Sequence, residues 1–278
     1  MRIAAIAAAS ALLIAGPAFA GIFDDDDCRY TSPRKVGTAL TGITKVVIHA
    51  DAGSLKVDGT PGATQIIASG TACTSDDDLL AGMTLTMRKS GSELHIDANI
   101  PKKTVIFGFF SARLDFAVTL PVGMPVDITD DSGWMKVANT GATSIDDDSG
   151  SIEVRNVRGP LVIHDDSGSI EVDTIAGNLR IEDDSGDILV KNIGGNVDID
   201  DDSGGITVAK VEGSLHIRND DSGSITAQNI RHDVTIDDDS SGEVDVTDIG
   251  GNFTVSHKSS GHVDYARVAG KVSLPERD

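Results

Sequence analysis

Six copies of Asp-Asp-Ser-Gly punctuate the second half of the chain, at 130–133, 147–150, 165–168, 183–186, 201–204 and 220–223, and a related Asp238-Asp239 pair precedes Gly242. Paired carboxylates beside a serine hydroxyl and turn carbonyls are hard oxygen ligands of the kind calcium takes. The candidate calcium residues are Asp147, Asp148, Asp165, Asp166, Asp183, Asp184, Asp201, Asp202, Asp220, Asp221, Asp238 and Asp239. The same residues form ordinary turns: an aspartate before Ser-Gly accepts backbone N–H groups of its own turn, while glycine supplies a positive φ. Like charges one strand spacing apart repel by about 1 kcal/mol in water and by more at a protein surface. A stacked acidic column therefore needs hydration and salt screening, or a cation.

Other chemistries fit less well. Calcium-binding β-rolls of the repeat-in-toxin type use G-G-x-G-x-D, whose glycines and acid fall in another order. Acidic-polysaccharide hydrolases and lyases need two carboxylates in different environments, whereas these acids repeat nearly identically and no long insertion builds a cleft. His232, His257 and His262 fall in three successive repeats but lack a zinc spacing such as HExxH. The expectation is a non-enzymatic chain without a required cofactor, calcium being the one candidate ion. The net charge of −21 opposes nucleic acid and anionic lipid.

The elements that must position the aspartates follow from the repeat. Anchoring each unit on the glycine of Ser-Gly gives Gly133, Gly150, Gly168, Gly186, Gly204, Gly223, Gly242 and Gly261, with spacings of 17, 18, 18, 18, 19, 19 and 19. Such a period marks a solenoid. The second and fourth positions after the anchor are apolar, as in Ile170 and Val172, and so is the seventh, as in Ile175. The eleventh and thirteenth form another alternating pair, as in Leu179 and Ile181, and a glycine such as Gly177 marks the ninth. Alternation of this kind buries one face of a strand. Each repeat is thus two short strands and two turns, and stacking the repeats about 4.8 Å apart joins five apolar columns into one core. The fold expected is all-β, a parallel β-solenoid of the β-helix or β-roll kind with rungs of about 18 residues. The general preference of parallel connections makes it right-handed. Outward positions alternate in sign from rung to rung, Arg155, Asp173 and Lys191 at the fifth and Arg180, Asp198 and His216 at the twelfth.

Residues 36–126 loosen this period into an irregular N-terminal β region with a cap, and 127–278 carry the regular repeats. Gly53 anchors one matching unit, with Leu55, Val57, Gly62 and Ile66 at the second, fourth, ninth and thirteenth positions. Phe107, Phe109, Phe110 and Phe116 cluster in ten residues. They are read as part of the broader capped end or as a patch for a partner. Residues 1–20 read as a secretory signal peptide, one arginine, an apolar run and small residues around Ala18-Phe19-Ala20. Cleavage there leaves an acidic arm at 21–35, no membrane span and a net charge of −22, since Arg2 departs. Cys28 and Cys73, the only cysteines, are expected to form one disulfide in an oxidising compartment.

The signal peptide, the loose N-terminal strands, LPVGMPVDI and the DDSGSIEVRNVRGPLVIH-type units together resemble the bacterial putative-adhesin β-solenoid domain family, catalogued as of unknown function. The resemblance spans about 40–278. It implies a solenoid in the periplasm or at the cell surface, with an envelope or surface protein or polysaccharide as partner, and brings no catalytic residues. The function expected is a structural or adhesion module of the envelope, with a calcium-dependent binding module as the alternative and a polysaccharide-active enzyme as the outsider. Partner identity and oligomeric state are not legible in these residues.

Overall fold

Alternation at the second, fourth, eleventh and thirteenth positions dictates two strands per repeat, and the computed structural model, which describes residues 28–101 and 111–276, has that form. The signal peptide, most of the acidic arm and Phe107, Phe109 and Phe110 lie outside the described residues. The chain runs through β1 (Tyr30–Ala39), β2 (Lys45–Ala52), β3 (Leu55–Thr60), β4 (Gln65–Thr74), the single turn α1 (Asp77–Leu80), β5 (Thr84–Ser90), β6 (Glu93–Asn99) and β7 (Ala112–Pro121). Regular rungs begin with β8 (Val126–Ser132) and β9 (Met135–Ala138), continue with β10 (Thr143–Asp147) and β11 (Ile152–Val157), and extend from β12 (Leu161–Asp165) to β24 (Val272–Ser273).

These strands form two twelve-stranded sheets that face one another. One sheet takes the strand after each anchor glycine and the other takes the strand after the ninth-position turn, both parallel from rung to rung. Register is in phase with the repeat: Ile152 opposes Ile170 and then Ile188, and Leu161 opposes Leu179 and then Val197. The five apolar columns are buried between the sheets up to the last rung, where Tyr265 and Leu274 are exposed. On the outer faces Arg155 pairs with Asp173, which pairs with Lys191, so the sign alternation expected of the fifth position is met strand by strand.

The N-terminal end departs from simple winding. The β2–β3 unit anchored at Gly53 sits between β6–β7 and β8–β9, with Leu55 and Val57 buried against Met135 and Val137. The second half of that unit does not cross to the opposite sheet. After Gly62 the chain turns back, and Ile66 lies on β4, antiparallel to β1 and β7 in the same sheet as β3. β1, β4 and β5 supply antiparallel edges that close this end, as an open stack requires. The arm is tied in by the Cys28–Cys73 disulfide, and its residues from Tyr30 onward already belong to β1. The opposite end is open: Tyr265 of the last full rung, at an inward position, is 48 % exposed.

Candidate functional site

Alternation along the second strand of each repeat continues beyond the apolar pair. In β12, Leu161 and Ile163 face inward, and so does Asp165 two residues later. The first aspartate of each Asp-Asp-Ser-Gly is therefore interior. Asp130, Asp147, Asp165, Asp183, Asp201, Asp220 and Asp239 form one internal column, each between 0 and 4 % exposed. Their partners Asp148, Asp166, Asp184, Asp202 and Asp221 are exposed on the turn. The twelve candidate calcium residues thus fall into two different environments.

The membership of the columns also differs from simple counting. Asp220 keeps the register of the earlier acids, and Asp239, two residues after the outward Asp237, joins the inner column while Asp238 is exposed. From Ile217, Ile236 and Val255 the column residue, Asp220, Asp239 or Lys258, is one residue further on than in earlier rungs, and a bulge after Ile199 absorbs the first of these so that Asp201 opposes Asp220. Asp238 sits in the equivalent extra stretch and is exposed. Backbone bonding is alike throughout: Asp166 N donates to the Asp147 carbonyl, and Ser240 N donates to that of Asp220. Asp130, one repeat further toward the N-terminus, also belongs to the column, a member that pairing the acids only from 147 onward leaves out.

The inner carboxylates are poorly partnered. The Ser185 N–H donates to Asp183 Oδ1 at 3.3 Å and the Ser203 N–H to Asp201 Oδ1 at 3.2 Å, the local turn bond expected of Asp-x-Ser. Both oxygens of Asp130, Asp147, Asp165 and Asp220, and one oxygen each of Asp183, Asp201 and Asp239, are buried without a hydrogen-bond partner in the protein. Burial pushes the carboxyls of Asp130 and Asp165 up to about 6 and those of Asp147, Asp183, Asp201 and Asp220 up to about 7, with neighbouring acids adding to the rise.

The column has defined ends. Toward the N-terminus its register position passes from Asp130 to Ala50. Toward the C-terminus it passes from Asp239 to Lys258, whose Nζ lies 2.6 Å from Asp239 Oδ2 and donates to the Gly242 carbonyl at 3.0 Å. The Lys258 side chain is 5 % exposed. Lys258 is therefore an internal cation, seated on Asp239.

Serine hydroxyls stitch the outer turns. Ser185 Oγ donates to the Asp166 carbonyl at 3.2 Å and Ser203 Oγ to that of Asp184, also at 3.2 Å. The backbone carbonyls of these exposed acids are thus engaged with the next rung. Among the described residues, three acidic or histidine ligand atoms lie within 4.8 Å of one another only at Asp76, Asp77 and Asp78, where Asp76 caps α1 by accepting the Asp78 N–H. His232, His257 and His262 make no such group. Phe116 is not a surface residue: it is 2 % exposed, alternates inward with Leu114 and Val118 on β7, and packs opposite Leu55. A partner patch cannot include it.

A second feature lies outside. The sixth residue after each anchor, Asn139, Asn156, Thr174, Asn192, Lys210 and Asn229 among them, adopts φ near +60°. Asparagine tolerates this left-handed conformation better than most residues, which explains its recurrence at this corner. The corner opens a groove of about 1150 Å³ along the stack, lined by these residues together with Arg158, Ala176 and Arg231.

The family model Toastrack DUF4097 matches residues 43–271. No curated protein matches the chain. Three crystal structures are similar. One is a "putative adhesin" from Bacteroides fragilis NCTC 9343, 11 % identical, covering 90 % of this chain and 99 % of its own, with a TM-score of 0.45. Another, from Parabacteroides merdae ATCC 43184 and bearing the same description, is 13 % identical over 89 % of this chain and 97 % of its own, TM-score 0.37. The third, a "putative cell adhesion protein" from Clostridium sporogenes ATCC 15579, is 10 % identical over 88 % of this chain and all of its own, TM-score 0.29.

Proposed function

Since the chain belongs to the Toastrack DUF4097 family, a domain of unknown function, we propose from its geometry that it is a non-enzymatic structural or adhesion module of the bacterial cell envelope. It holds an extended envelope polysaccharide along the corner groove. The observation that carries this reading is the groove itself, which presents the same left-handed backbone corner at each rung, with an asparagine amide at Asn139, Asn156, Asn192 and Asn229. Amides offer both donors and acceptors, which suits a hydroxyl-rich polymer with a repeating unit. The Cys28–Cys73 disulfide supports an oxidising compartment outside the cytoplasm, and the signal-like residues 1–20 agree with it. Against an enzyme stands the repetition of the acids. The same buried inner acid and exposed turn acid recur from rung to rung with no one pair singled out, and the inner carboxyls are closed off from a substrate.

An Ala176→Trp substitution fills the middle of the groove from an exposed position without touching the core. In titrations of the mature protein against a panel of bacterial envelope polysaccharides, at least one is expected to bind. The variant should weaken that binding tenfold or more, about 1.4 kcal/mol, at unchanged melting temperature. Binding that survives the tryptophan would move the surface elsewhere, and a panel without any binder would overturn the polysaccharide as partner.

A further inference from the structure

The seven inner aspartates pose a problem that the groove does not address. An unpartnered buried carboxylate is costly, and a file of them one rung apart adds repulsion to desolvation. The protein resolves one step of the file itself. At the C-terminal end a lysine stands in the acid's register position, and its ammonium takes one carboxylate oxygen of Asp239 and the carbonyl of the anchor glycine Gly242. Each inner acid stands three residues before its anchor glycine, as Asp239 does before Gly242. The anchor carbonyls stack from rung to rung: a Cβ placed on Gly186 would fall 1.6 Å from the Gly168 oxygen, and the same relation recurs at Gly150, Gly168, Gly204 and Gly223.

We propose that the inner column, Asp130 to Asp239, is a file of calcium sites enclosed within the solenoid, each ion bridging carboxylates of adjacent rungs with glycine carbonyls completing its shell. The exposed aspartates of the turns are not ligands. Lys258 is the built-in cation that terminates the file. Calcium suits the position better than magnesium, because it accepts irregular sets of oxygen ligands and sheds water more readily, whereas magnesium holds its water shell and demands a near-ideal octahedron. Seven carboxylates less the Lys258 ammonium leave six negative charges, which three divalent ions balance. This assignment is independent of what the outer groove binds.

The test is metal content by mass spectrometry after the mature chain is refolded in calcium plus magnesium and desalted. About three calcium ions per chain are expected at pH 8. Asp183→Asn with Asp201→Asn should lower the content to about two ions or fewer, while Asp184→Asn with Asp202→Asn should leave it unchanged. Should the inner double variant fail to fold, the wild type still decides by whether it holds calcium after desalting, and the outer double variant by whether it keeps it. A protein without bound metal, one that selects magnesium, or one that loses its calcium through the outer double variant would each overturn the assignment.

Discussion

A Gly186→Ala variant of the mature chain is expected to lose at least ~4 kcal/mol of stability, enough to abolish cooperative folding in many single domains. Gly186 has φ +145°, a conformation that L side chains rarely adopt, and the added Cβ would fall 1.6 Å from the Gly168 oxygen and 2.6 Å from its carbonyl carbon. Neither atom belongs to a flexible side chain, so relief requires prising two rungs apart, which breaks the apolar columns on both sides of the turn. Gly62→Ala provides the control. That glycine also has positive φ, +74°, but an added Cβ meets nothing within 4 Å, so its cost should stay near the ~1–2 kcal/mol of a left-handed alanine. Urea denaturation followed by circular dichroism compares the two, and equal costs would mean that the anchors are not in contact across rungs.

The second large effect is a pH dependence opposite to ordinary acid lability. In metal-free buffer the protein should become more stable as pH falls from 8 to 5, with a melting temperature higher by about 10 °C or more. The raised carboxyls sit at about 6 to 7 in the folded chain against an ordinary aspartate value of 3.8, so between those values the folded state binds more protons than the unfolded one. Stability then falls with rising pH. The gain is fully present below the unfolded value and is lost as pH rises through the folded one. A tenfold difference in proton affinity between folded and unfolded chain is worth ~1.4 kcal/mol, but adjacent acids titrate together, so the column acts as one unit and not as six independent groups. Calcium should flatten the dependence by competing with the protons. Thermal melts across that pH range in EDTA check the sign, and a stability maximum near pH 8 with steady loss toward pH 5 would contradict it.

The solenoid was legible in the sequence because its signal is repeated. Eight anchors at 17 to 19 residues, each followed by apolar residues at fixed offsets, leave little freedom in register, and Ile152, Ile170 and Ile188 stack as that spacing demands. The inward turn of Asp165 was equally available, since Leu161, Ile163 and Asp165 keep one alternation, but a charged residue beside Ser-Gly reads first as part of an exposed turn. Asp239 was obscured further, because the extra residue in its rung shifts the count by one and only a bulge restores it. The recurrent asparagine at 139, 156, 192 and 229 carried the signal of a left-handed corner, and with it the groove. Non-local choices were not legible. Nothing near Ile66 says that the chain turns back into the sheet it has just left, and Phe116 is internal only because β3 lies beside β7.

The inner column as a cation file is tested most directly by the thermal stability of the mature protein at pH 8. Melts in EDTA should be compared with melts in millimolar calcium, in magnesium and in sodium chloride of matched ionic strength. An ion that binds only the folded chain raises its stability by linkage. The account predicts a rise of about 10 °C or more in calcium, absent from both controls and reduced in the Asp183→Asn, Asp201→Asn variant. A calcium melt that coincides with the sodium chloride melt would contradict it and leave the buried aspartates held by protons alone.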